Sequence, residues 1–123
     1  MLRKLTRVGL ICAALGFSTA TAQAHPRLQA ATPAPGAALT NSPSAIRMRF
    51  SEGIIGRFTG LTLMDTRGKR VPTGSATVDP IDNTKLMVPI KVRLIAGTYN
   101  VAWHAVSVDT HRIAGKFKFR VTR

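Results

Sequence analysis

T-Y-N-V-A-W-H-A-V-S-V, residues 98–108, is the longest extended run in the chain, and its reading decides the fold class. Tyr99, Val101 and Trp103 fall on one face and His104, Val106 and Val108 on the other, the two-residue period of a half-buried strand. Downstream, residues 115–122 repeat the pattern with Phe117, Phe119 and Val121 inward and Lys116, Lys118 and Arg120 outward. Upstream, residues 46–51 alternate as cleanly, Ile46, Met48 and Phe50 against Arg47, Arg49 and Ser51. Shorter strands are expected over residues 27–32, 61–65, 75–78 and 84–88. Pro33-Ala34-Pro35-Gly36, Thr66-Arg67-Gly68-Lys69 and Asp79-Pro80-Ile81-Asp82-Asn83 break the chain between strands. No window keeps helical periodicity over three turns, and turn signals recur about every ten residues. The pattern predicts an all-β chain, an antiparallel Greek-key β-sandwich of seven or eight strands.

Residues 1–24 have the layout of a secretory signal peptide. Arg3, Lys4 and Arg7 form a basic start, residues 8–17 an apolar run, and Ala22-Gln23-Ala24 a small-x-small cleavage site. The apolar run is too short to span a bilayer. Cleavage after Ala24 takes 24 of the 123 residues and leaves a 99-residue domain, 25–123, that begins with His25 and has no transmembrane segment. The single cysteine, Cys12, leaves with the leader, so the mature domain has no disulfide and no thiolate metal site. A domain of this length buries a core without such staples. Without the three leader cations, 15 Lys and Arg stand against 5 Asp and Glu, a net charge of +10. The cations alternate with apolar residues, as on a solvated sheet face, and the aromatics Phe117 and Phe119 face away from them. That separation argues against a base-stacking nucleic-acid surface.

The unusual chemistry lies in W-H-A-V-S-V-D-T-H-R-I-A-G, residues 103–115, which holds two of the three histidines and one of the five carboxylates. If the chain stays extended past Trp103, then Trp103, Ala105, Ser107, Asp109 and His111 share a face. Asp109 and His111 then project side by side with Cβ atoms about 6.5–7 Å apart, a spacing from which carboxylate and imidazole can converge on one ion. Ser107 stands beside them on the same face. A third ligand has to come from elsewhere, and a mature N-terminal His25 offers two nitrogens, its α-amine and its ring Nδ1, in one chelate. The α-amine titrates near neutral pH and gives up its proton to a metal readily. Pro26, having no N–H, cannot add an amide nitrogen and leaves positions open for Asp109 and His111. Three nitrogens and a carboxylate form a tetragonal set that suits Cu(II) before Ni(II) or Zn(II). Met48, Met64 and Met87 are scattered and read as core filler rather than Cu(I) ligands. His104 falls on the opposite face and reads as a structural histidine.

The start H-P-R-L, the F-S-E of residues 50–52 and the closing Y-N-V-A-W-H-A-V-S-V-D-T-H-R-I-A-G-K-F-K-F resemble the CopC/PcoC family of periplasmic copper-binding proteins. The resemblance covers the mature domain. It implies a cupredoxin-like or immunoglobulin-like sandwich in the periplasm that holds Cu(II) through His25, Asp109 and His111. It also implies service in copper homeostasis or resistance rather than catalysis, with an inner-membrane copper permease of the CopD type as partner. The methionine-rich Cu(I) loop of some members is missing here, and His104 follows the Trp where members often have Arg. Glu52, in the F-S-E position, is expected either to orient the terminal amine without touching the metal or to be an ordinary strand-end carboxylate. Two other readings compete: a copper-dependent enzyme of the polysaccharide monooxygenase type, and a metal-free scaffold sandwich. Against the enzyme stand the short chain, the few aromatics evident for a polymer surface, and an Asp109 ligand in a position that oxygen activation needs open.

Overall fold

Two four-stranded sheets face each other in the computed structural model, which describes residues 26–123 together with residues 9, 14 and 16. The strands are β1 (Leu28–Thr32), β2 (Ala38–Leu39), β3 (Ala45–Phe50), β4 (Gly60–Met64), β5 (Thr77–Val78), β6 (Lys85–Pro89), β7 (Gly97–Val106) and β8 (Arg112–Val121). One sheet has the order β1-β3-β6-β5 and the other β2-β8-β7-β4. A short 3-10 turn, Gly56–Phe58, precedes β4. The all-β sandwich and its strand number agree with the sequence reading.

Inward alternation holds where it was clearest. Ile46, Met48 and Phe50 of β3 are buried against Tyr99, Val101 and Trp103 of β7, while Arg47 and Arg49 remain exposed. The Phe50 ring meets the Trp103 indole edge-on, with centroids 5.4 Å apart, joining the two sheets at the end nearest the β7–β8 turn. Tyr99 stacks on its register partner Phe119 at 5.6 Å, and its hydroxyl donates to the Ile95 carbonyl at 2.7 Å. Trp103 pairs with Gly115 across β7 and β8, and a Cβ there would come within 2.5 Å of the indole. Only a glycine leaves the ring its place.

β2 did not show in the sequence. Its two residues pair in parallel with Arg120 and Val121 of β8, so this one pairing departs from the antiparallel pattern. The preceding turn is fixed by Gly36 at φ 79° and by its N–H bonding the Lys118 carbonyl at 2.7 Å. The final strand also starts three residues earlier than expected, at Arg112, and pairs with β7 through to Val106.

Candidate metal centre

The extended reading of residues 103–111 holds only as far as Ser107. Trp103, Ala105 and Ser107 do share the buried face, but the chain then turns, and Asp109 and His111 do not sit on a continuing strand. The turn closes where Ser107 N–H donates to His111 O at 2.9 Å and Thr110 N–H to Ser107 O at 2.8 Å. Thr110 has φ 72°, the one non-glycine residue in the left-handed region among those described. That reversal, rather than the strand period, brings the two side chains together.

They meet closely. His111 Nδ1 lies 3.0 Å from Asp109 Oδ2, and both side chains are about half exposed. The other carboxylate oxygen accepts a short hydrogen bond from the hydroxyl of Ser107, which has no solvent exposure and also receives the His111 N–H at 3.2 Å. Ser107 thus ties the carboxylate, the backbone of the histidine and the end of β7 into one unit. The Ser107 hydrogen bond first, and the His111 ring second, hold the Asp109 carboxyl below the usual carboxylate range. Asp109 is therefore ionised at neutral pH, as a metal ligand must be.

The spacing suits a shared ion. Two donors each about 2.0 Å from one metal at a right angle stand about 2.8 Å apart. The Asp109–His111 separation is close to that bite, and sharing an ion requires the imidazole and the carboxylate to turn their lone pairs from each other toward it. Among the described residues no group of three or more His, Cys, Asp or Glu is placed to hold a metal, so this pair requires a further donor. His104 does not supply it. That residue is exposed on the outer face of β7, opposite Gly60 of β4. Met48 is buried in the core, and Met64 and Met87 lie on different strands, so the methionines form no cluster.

His25, the remaining sequence candidate, lies outside the described residues. Its neighbours are within them. Pro26 is fully buried, and Arg27 exchanges two 2.8 Å hydrogen bonds with Ser51, its N–H to Oγ and its carbonyl to the Ser51 N–H. Two residues on, the Gly53 carbonyl accepts the Val108 N–H at 2.9 Å, and Ile54 bridges to Ser107. Both the start of the domain and the Asp109 turn therefore dock on residues 51–54, with Glu52 half-buried between the two anchors. Sequence reading did not assign Ser51 and Gly53 this anchoring role, since neither carries a ligand group. The signal open to it was F-S-E-G, a strand end running directly into a glycine.

Comparison with known proteins gives a consistent result. The CopC domain model matches residues 28–122. Protein YobA of Escherichia coli K12 is 35% identical over 115 residues, covering 94% of this chain and 93% of that protein. Copper resistance protein C of Escherichia coli is 37% identical over 127 residues, covering 98% of each. Among solved structures, PcoC from Escherichia coli, titled a methionine rich copper resistance protein, superposes with a TM-score of 0.71. It is 33% identical and covers 80% of this chain and all of that one.

Proposed function

The chain belongs to the CopC family, and from that premise we propose that it is a periplasmic Cu(II)-binding protein that sequesters copper or passes it on. It does so without catalysing a reaction on a bound substrate. Its ligands are the amine and ring of His25, freed by cleavage after Ala24, together with Asp109 and His111. The observation that supports this reading is that Arg27 bonds Ser51 and Val108 bonds Gly53, so the residue two after His25 and the Asp109 turn share one anchor segment. Copper is cargo here, and the residues act to hold it. Ser107 fixes the carboxylate, Pro26 bars a competing amide nitrogen, and Glu52 sits within the anchor segment as a candidate acceptor for the terminal amine. A donor set of nitrogens and one carboxylate, with no clustered sulfur, favours Cu(II) over Cu(I). No helix among the described residues is long and apolar enough to cross a membrane. Delivery across the inner membrane therefore needs a partner, for which a copper permease of the CopD type is proposed.

The test uses the sole tryptophan. Trp103 abuts the β7–β8 end, and bound Cu(II) is expected to quench its emission at one equivalent. Asp109→Ala and His111→Ala should each weaken binding by roughly tenfold or more, since losing a ligand costs at least the 1.4 kcal/mol that a tenfold change represents. Quenching unchanged in both variants would place the copper elsewhere.

A further inference from the structure

The outer face of the β1-β3-β6-β5 sheet carries a second feature, independent of the copper reading. Across it run two rows of outward side chains, Thr32-Arg47-Met87-Thr77 and Ala30-Arg49-Lys85, the second row ending at Asp79, whose N–H bonds the Lys85 carbonyl. A trough of about 470 Å³ lies on this face, lined by residues of both rows and by the Val78–Pro80 segment at the β5 edge. Arg49 and Lys85 are direct cross-strand partners, two like charges whose Cβ atoms stand about 4.5–5.5 Å apart, an arrangement that works against the sheet.

The nearby carboxylates relieve it only in part. Asp79 Oδ1 is taken up by the N–H groups of Ile81 and Asp82, at 2.8 and 3.0 Å. Asp82 bonds Thr84 through Oδ1 and reaches Lys85 only at 3.8 Å. Neither Arg47 nor Arg49 makes an ion pair among the described residues. Three cations, Arg47, Arg49 and Lys85, thus stand beside the apolar side chain of Met87 on one face, and neither arginine has an ion-pair partner among the described residues.

We propose that this trough receives an extended acidic segment of a partner protein, with carboxylates at alternate positions. Arg47 and Arg49 lie two residues apart on β3, and two residues of any extended chain span about 6.6–6.8 Å. Glu side chains at i and i+2 of such a segment therefore fall in step with the two guanidiniums, where each can accept a paired N–H donation. Their methylene stems cover Met87, and Lys85 closes the second carboxylate from the neighbouring strand. A repeating, strand-spaced cation row in a concave face matches a peptide more closely than a flat lipid surface does.

The probe is a fluorescein-labelled heptapeptide of alternating Thr and Glu, with its Gln counterpart as control, followed by polarisation. Saturable binding is expected that the Gln peptide lacks. Arg47→Gln/Arg49→Gln should weaken it roughly tenfold or more. Lys116→Gln/Lys118→Gln, on the outer face of the other sheet, removes the same charge and should weaken it less than about threefold. Copper titration of both double variants should stay unchanged, which separates this test from the copper reading. Equal weakening by the two double variants would reduce the effect to net charge and overturn the proposal. So would failure of the peptide to bind, or binding of phosphatidylglycerol vesicles through the trough in its place.

Discussion

Ser107 and Asp109 are joined through a buried hydroxyl: the serine, with no solvent exposure, donates to one oxygen of a half-exposed carboxylate whose other oxygen faces His111. The relationship is asymmetric, a rigid interior group aiming a surface carboxylate, and it makes Ser107 a positioning residue for the proposed ligand. Ser107→Ala removes that donor and leaves the His111 N–H only its longer contact to Asp109 Oδ1, at 3.5 Å. Stability should fall by about 1–3 kcal/mol, and copper affinity by roughly tenfold. Thermal unfolding and Cu(II) titration of the same sample check both. A stability loss with affinity unchanged would mean that the hydroxyl supports the turn without orienting the ligand.

The depressed Asp109 carboxyl gives a pH signature to the metal-free protein. A carboxyl whose folded pKa lies below its unfolded value of about 3.9 adds stability above that value and loses it as pH falls through the folded pKa. Asp82, held down chiefly by the Thr84 hydroxyl, and Asp79, held down by the N–H groups of Asp82 and Ile81, act in the same direction. Acid unfolding followed by Trp103 emission should therefore steepen below about pH 4. Asp109→Asn should flatten that slope, and an unchanged slope would show that the Ser107 and His111 contacts do not favour the ionised form.

Gly115 offers a packing test away from the ligands. Adding a Cβ there places it 2.5 Å from Cζ2 and 2.7 Å from Cε2 of Trp103, a ring held on its other side by Phe50. Gly115→Ala is expected to cost about 1–3 kcal/mol as overpacking and to shift Trp103 emission to longer wavelength. Wild-type stability and spectrum would show that the indole has room to move.

Legibility followed periodicity. The alternation of residues 46–50 and 99–105 named the inward residues correctly because each strand has one buried face, which forces the pattern into the sequence. β2 was not legible, since two residues cannot show a period and its pairing with β8 is parallel and distant in sequence. The site was partly legible. Asp109 and His111 were paired by extending the strand, whereas the structure pairs them by a turn at Thr110, a β-branched residue in a conformation that sequence rules assign to Gly or Asn. The anchors at Ser51 and Gly53 act through backbone and hydroxyl contacts with partners 24 and 55 residues away, beyond the reach of any local pattern.

That turn carries its own expectation. Thr110 at φ 72° pays a steric cost that Asn bears more easily, so Thr110→Asn should raise stability by about 0.5–1 kcal/mol. Thermal unfolding measures it. A stability loss would mean that the bond from Thr110 Oγ1 to the Asp109 carbonyl, at 2.6 Å, outweighs the backbone relief.

Removal of the leader is proposed to complete the copper site by freeing the His25 amine. Copper affinity and the Cu(II) EPR spectrum should be compared for the domain starting at His25 and for the same domain with one extra residue ahead of it. The account predicts one-to-one binding through nitrogen donors in the first, and a loss of at least about tenfold with an altered spectrum in the second. Equal affinity and identical spectra for both forms would contradict it.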